Sequence, residues 1–210
     1  VISPIVIAGC GRSGTSLLLS LLSCHPDLYA IPEETLALSS SPLRLDGFPT
    51  DRRWVEKTPI NVHNLPVILE QLPTAKVLNI VRDGRDVITS QHPGFRGPYV
   101  SIERWIRDVS AGRKMEDHER VFTLRYRDVV REPKTLHRIC DFLELSFAPE
   151  FLRYPETATV QSHAAWDGPA RPLSAASVDR WKSPEHRDDV ARFMRKRKAV
   201  ELLRHYDFEV

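Results

Sequence analysis

The sequence predicts an α/β fold in which a central parallel sheet is flanked by helices and opens on a phosphate-binding loop. Two observations predict it. Short apolar runs alternate with amphipathic stretches, the pattern of strands and helices in a parallel sheet. The first apolar run also ends in a glycine-rich turn that starts a helix, the order in which many phosphate-binding domains begin.

Taken in order, Ile5-Val6-Ile7-Ala8 reads as a buried strand entering a turn that holds Gly9, Gly11 and Gly14. Residues 15–24 read as a helix that Pro26 stops soon after. Residues 39–53, rich in Ser, Pro and Arg, have no period and read as a surface loop, and residues 65–72 as a short helix. Residues 76–81 form a second buried strand, and residues 83–90 a second helix carrying Ser90. Two prolines and two glycines make residues 91–99 a loop. Residues 101–115 are amphipathic, with Ile102, Trp105, Ile106 and Val109 on one side. Residues 121–125 are a third strand, and residues 133–143 a helix with Leu136, Ile139, Cys140 and Leu143 at three- and four-residue steps. Residues 147–177 read as irregular and residues 190–206 as one final helix.

The chain has 210 residues, 41% hydrophobic and 28% charged, which fits one globular domain over residues 1–210 and excludes a disordered or collagen-like chain. A formal net charge of +2 argues against a nucleic-acid binder that works by bulk charge. The basic run Arg195-Lys196-Arg197-Lys198 reads as a solvated helix face. A membrane span needs ~20 apolar residues, and none is present in the sequence. No signal peptide is visible, though Val1 is not a natural first residue and leaves room for an upstream segment. Three cysteines, Cys10, Cys24 and Cys140, are too few and too widely spaced for a disulfide framework, so reduced thiols and a cytoplasmic location are expected. Eight scattered histidines without an HExxH pattern give no expectation of a metal site.

Gly9-Cys10-Gly11-Arg12-Ser13-Gly14-Thr15-Ser16 carries the chemistry. Glycines let the backbone curl so that N–H groups point at an anion, and the following helix adds its own N–H groups and dipole. A nucleoside triphosphate loop has Lys before its final Ser or Thr; here that position is Thr15, and the positive charge sits at Arg12. Such a loop suits a single 5′-phosphate bearing a sulfonate better than a β,γ-phosphate pair with Mg²⁺.

With these residues the sequence resembles the sulfotransferases that use 3′-phosphoadenosine 5′-phosphosulfate (PAPS), a family with a P-loop-containing nucleotide-binding fold. Gly11-Arg12-Ser13-Gly14-Thr15-Ser16-Leu17 is similar to that family's 5′-phosphosulfate loop. Cys24-His25-Pro26-Asp27, continued by Pro32-Glu33-Glu34-Thr35, is similar to the tyrosylprotein and heparan-sulfate branches, in which a glutamate is the catalytic base. Glu56-Lys57-Thr58-Pro59 resembles the segment whose lysine contacts the transferring sulfonate. Arg82, with Ser90 eight positions on, resembles the 3′-phosphate motif, and Tyr126 the tyrosine that approaches the adenine. Arg171-Pro172-Leu173 and Arg180-Trp181-Lys182 resemble the last loop, which closes over the nucleotide, with Arg171 and Arg180 near the 3′-phosphate.

The resemblance implies Glu34, Lys57 and Arg12 as catalytic residues. It implies Gly11, Arg12, Ser13, Gly14, Thr15, Ser16, Arg82, Ser90, Tyr126, Arg171 and Arg180 as the cofactor site. PAPS is then the cofactor, adenosine 3′,5′-bisphosphate (PAP) the product, and a hydroxyl compound the acceptor, with no metal required. Glu33 is the alternative base, Glu56 a residue that could orient Lys57, and His63 and His92 lone loop histidines. The histidine that small-molecule branches carry two residues after the lysine is replaced by Pro59. A P-loop small-molecule kinase and a non-catalytic nucleotide-binding module are the competing readings.

Overall fold

The structure, a computed structural model, describes residues 2–162 and 169–210. Five parallel strands form its sheet: β1 (Ile5–Gly9), β2 (Leu28–Ala30), β3 (Arg53–Lys57), β4 (Lys76–Val81) and β5 (Val121–Arg125), in the spatial order β2-β3-β1-β4-β5. The register pairs Ile7 with Lys57 on one side of β1 and with Leu78 on the other. The helices are α1 (Thr15–Leu22), α2 (Leu65–Gln71), α3 (Gly84–Ile88), α4 (Ile102–Arg113), α5 (Tyr126–Arg131), α6 (Lys134–Leu143), α7 (Arg187–Met194) and α8 (Arg197–His205).

Alternation along the strands separates two cores. Ile5, Ile7, Val55, Leu78, Ile80 and Leu124 pack with α1 and α6 on one face. Val6, Ala8, Trp54, Val77 and Val121 pack with α2 on the other. A third cluster joins α3, α4, α7 and α8 around Trp105 and Phe193. The helix-flanked parallel sheet expected from the sequence is the one observed. Two strands exceed expectation. β2 is a three-residue edge strand, and β3 carries a glutamate and a lysine that are nonetheless buried. α5 is also additional, and it makes Tyr126 the first residue of a helix directly after β5.

The expected single C-terminal helix is two. Lys196 is extended (φ −87°, ψ 100°) between α7 and α8, which lets Phe193 and Leu202 reach the same cluster. The basic run at this break is exposed, with Lys196 on Glu103 at 3.0 Å and Arg197 on Glu201 at 3.3 Å. α3 is shorter than expected, so Ser90 lies just beyond its end. The stretch 147–177, expected to be irregular, holds the 3-10 turns Pro149–Arg153 and Ala175–Ser177. Its residues 163–168 lie outside the described residues. All three cysteines are buried and free. Among the described residues no helix is long and apolar enough to cross a membrane, and no three His, Cys, Asp or Glu side chains gather as a metal site.

Candidate active site

Each strand delivers one polar residue to the carboxyl edge of the sheet. Glu34 follows β2, Lys57 ends β3, Arg12 follows β1, Arg82 follows β4, and Tyr126 follows β5. Ligands of open parallel sheets gather at this edge, where connections diverge from a central strand, here β1. A cavity of about 1040 Å³ lies there.

The loop after β1 floors it. Gly9, Arg12 and Gly14 have φ of 145°, 66° and 99°, values that turn the backbone sharply and that only glycine adopts without strain. Gly14 has no side chain to cap α1, and no side-chain cap closes the helix start, an arrangement suited to an anion. Gly11, Arg12, Gly14, Thr15 and Ser16 line the cavity. Ser13 differs: it is fully buried, and its N–H donates to the Cys10 carbonyl at 3.2 Å, closing the loop on itself. Its hydroxyl is a buried polar atom without a hydrogen-bond partner among the described residues.

One wall is cationic. Arg12 Nε donates to Ser90 Oγ at 3.1 Å, and Arg82 donates to the Arg12 carbonyl at 3.0 Å and to the Ser177 carbonyl. Arg82 is buried, stacks 4.8 Å from the Tyr126 ring centre, and has its Nε 3.9 Å from Asp86. Asp83, next to Arg82, instead holds Arg85 at 2.7 Å. Burial, then the neighbouring Arg82, holds the Arg12 guanidinium below its usual value. Burial lowers Arg82 as well, against the opposing pull of Asp86. Tyr126 donates to or accepts from Ser177 Oγ at 2.6 Å, and Asp86 accepts the N–H groups of Asp179 and Trp181 at 3.1 Å each. These bonds dock the 175–182 segment and bring Arg180 to the cavity.

Arg171, expected near the 3′-phosphate, is exposed and does not line the cavity. Trp181 covers Arg85, whose guanidinium carbon is 3.7 Å from the ring centre.

The opposite wall holds Glu33 and Glu34. Glu34 Oε1 accepts from Lys57 Nζ at 2.5 Å; the carboxylate side chain is 39% exposed and the ammonium side chain 0%. Lys57 therefore lies beneath Glu34 rather than on the cavity surface. Burial lowers its ammonium below the usual range, and the contact with Glu34 opposes this. Glu56 lies close enough to act on the charge of Lys57, and it is held by hydrogen bonds of its own. Its carboxylate accepts from Thr35 Oγ1 at 3.0 Å, from Asn61 Nδ2 at 2.7 Å and from the Thr58 hydroxyl. Through Thr35 it fixes the chain next to Glu34.

Sequence reasoning missed Arg104 and Tyr99, which also line the cavity. Arg104 rests 5.5 Å from the Tyr99 ring centre and pairs with buried Asp108 at 3.4 Å. A signal existed: Asp108 stands among Trp105, Val109 and Gly112, the buried face of α4, where an acid needs a partner. His63 also contacts Asp108, at 2.7 Å, and is absent from the cavity lining; His92 does line it, stacked 4.3 Å from Tyr99.

A sequence profile for the sulfotransferase family matches residues 4–49 and 44–149, most of the chain. The chain belongs to the sulfotransferase family. Solved sulfotransferases share the fold. The sulfotransferase domain from the curacin biosynthetic pathway superposes with a TM-score of 0.72 at 21% identity, over 100% of this chain and 99% of that one. The sulfotransferase domain of the Synechococcus PCC 7002 olefin synthase gives 0.64 at 19%, over 100% and 96%. A mouse sulfotransferase complexed with PAP gives 0.64 at 18%, over 98% and 88%. An uncharacterized protein of Aquifex aeolicus (strain VF5) is 23% identical in an alignment 238 positions long that covers 87% of this chain. This chain spans about a third of that curated relative's length, 31%.

The donors of this sulfotransferase suit an anionic nucleotide. The Ser13 hydroxyl and Arg82 Nε are buried without hydrogen-bond partners beside the phosphate loop. An added Cβ at Gly14 would sit 2.4 Å from the Tyr126 ring, so the bare glycine keeps loop and ring in contact.

Proposed function

We propose that this sulfotransferase moves a sulfonate from PAPS to a hydroxyl of its acceptor, with Glu34 as general base. The junction of Arg12, Ser90 and Arg82 carries the reading: the phosphate loop and the 82–90 stretch, far apart in sequence, meet in one cationic pocket. A fork of guanidinium donors suits a phosphate dianion. That a relative in fold is complexed with PAP supports the same cofactor here.

When bound, PAPS supplies the sulfonate: the bond from sulfur to the 5′-phosphate oxygen breaks as the bond from sulfur to the acceptor oxygen forms. Arg12 and the N–H groups at the start of α1 neutralise charge gathering on the departing phosphate oxygen. Arg82, Ser90 and Arg180 hold the 3′-phosphate, and Tyr126 packs beside the base. Lys57 turns from Glu34 toward the sulfonate oxygens, which releases Glu34 to take the acceptor's proton, a contribution of ~10²–10⁴-fold. A glutamate base aligns the chain with the tyrosylprotein and heparan-sulfate branches. Metal plays no part in this scheme.

The test is thermal unfolding with PAP, with ATP plus Mg²⁺ as the comparison. A ligand at ~100 times its Kd adds ~2.7 kcal/mol to the native state. A rise with PAP that Arg82→Ala cuts by about half or more supports the reading. A rise only with ATP and Mg²⁺ overturns it in favour of a kinase.

A further inference from the structure

The phosphate loop runs between two walls, and its glycines mark them. A Cβ on Gly14 would meet Tyr126, on the wall assigned above to the nucleotide. A Cβ on Gly11 would meet Arg104 Nη2 at 3.3 Å, Tyr99 at 3.6 Å and Val100 at 3.6 Å. Arg12 lies near Arg82 and Arg180, and near Tyr99 as well, whereas the Cys10 thiol lies near Asp108, Arg104 and Arg107. Arg104 is none of the arginines proposed to hold the cofactor, yet it lines the same cavity.

Arg104 is also held in place. Asp108 anchors its Nε at 3.4 Å, Tyr99 supports the guanidinium plane at 5.5 Å, and its side chain keeps 33% exposure. Asp108 is a single carboxylate shared among Arg104, Arg107 at 3.1 Å and His63 at 2.7 Å. Two guanidinium groups and an imidazole around one buried acid leave net positive charge, and Arg104 presents it to the cavity. A positioned fork of N–H donors is the recognition element for a carboxylate.

We propose that Arg104 reads the acceptor: the hydroxyl compound sulfonated here carries an anionic group, a carboxylate, that docks on Arg104. The inference rests on the sulfotransferase reading and deepens it. Asp108 and Tyr99 are positioning residues that act through Arg104.

The experiment uses three acid–amide pairs: para-hydroxyphenylacetate, omega-hydroxydodecanoate and glucuronate, each beside its primary amide. Binding is read by calorimetry on the PAP-saturated protein, and transfer by PAPS consumption on the protein free of PAP. At least one acid is expected to outperform its amide by about tenfold or more, the difference a charge-assisted pair provides. In Arg104→Gln that ratio falls to about one, while PAP affinity stays within about twofold and Arg104→Lys restores part of the ratio. Asp108 keeps Arg107 and His63 in Arg104→Gln, so the variant is expected to melt near the wild type. No advantage of acid over amide in any pair overturns the proposal, as does an equal loss of PAP affinity in Arg104→Gln. Failure of the wild type to bind PAP at all is a separate result, seen before any acceptor is added, and it removes the parent reading.

Discussion

Glu34 Oε1 and Lys57 Nζ lie 2.5 Å apart, with the ammonium wholly buried and the carboxylate at the cavity surface. In the proposed reaction these groups have separate duties, one taking a proton and the other facing the sulfonate. Here each neutralises the other, so the base is quiet until something anionic competes for the lysine. Glu34→Gln keeps the shape and removes the base. Transfer should fall by ~10²–10⁴-fold with PAP affinity retained, measured as PAPS turnover beside calorimetry. Unchanged turnover would move the role to Glu33 or elsewhere.

Lys57→Met should separate function from stability. The lysine is buried, and desolvation is the largest influence on its charge. Its partner Glu34 is 39% exposed and keeps water when the ammonium is gone. The melting temperature is expected to match or exceed the wild type, while transfer drops by ~10²-fold or more through loss of electrostatic stabilisation. A fall of several degrees would mean that pairing with Glu34 outweighs the cost of burial.

Two arginines that the motifs place together should behave differently. Arg82 is buried in the cationic wall, and Arg171 is exposed away from the cavity. Charge-assisted hydrogen bonds of ~1.5–3 kcal/mol make Arg82→Ala weaken PAP binding by ~10–100-fold, and Arg171→Ala should leave it within about twofold. A PAP titration of both variants decides it, and a large loss in Arg171→Ala would mean that the last loop rearranges on binding.

How far this site was legible in the sequence follows from local order. Arg12, Arg82 and Tyr126 directly follow strands whose apolar runs announce them, or nearly so; the pattern gives their place in the fold and the family resemblance their expected part in the site. β3 hid because Arg53, Glu56 and Lys57 put polar side chains on both of its faces; only the structure shows Glu56 satisfied by three donors inside the sheet edge. The break at Lys196 was invisible because nothing local interrupts the helical period; packing of Phe193 and Leu202 into one cluster imposes it. Arg104 reaches the cavity through the packing of α4 against the sheet, where Gly112 lies close to Asn79, a relationship that no spacing rule encodes.

Glu56 should leave a mark on the pH dependence of stability. Burial raises its carboxyl above the ordinary value of 4.5, against the opposing effect of its donors. As pH rises past 4.5 the unfolded chain ionises this group first, so the native state binds more protons and loses stability across the window up to the raised value. Below 4.5 both states are protonated and the stability is retained. Glu56→Gln cannot ionise, so it should gain on the wild type as pH rises through this window, read as melting temperatures in a buffer series. A gain in the opposite direction would show that the Thr35, Thr58 and Asn61 contacts favour the carboxylate more strongly than burial disfavours it.

Gly14 allows a clean contrast with Gly47. Both have positive φ, 99° and 83°, so alanine at either position meets the same kind of backbone strain, ~1–2 kcal/mol. Around Gly47 nothing lies within 4 Å of an added Cβ, whereas at Gly14 the Tyr126 ring lies 2.4 Å away. Gly47→Ala should therefore lower stability modestly and leave PAP affinity intact. Gly14→Ala must push Tyr126 off the loop, and Tyr126 carries Arg82 on its ring and Ser177 on its hydroxyl. Its loss of PAP affinity should exceed the shared strain, at ~10-fold or more, since three contacts of one wall move together. Parallel PAP titrations and melts of the two variants separate strain from displacement: equal affinities would mean that Tyr126 yields without cost and that the wall is looser than its contacts imply.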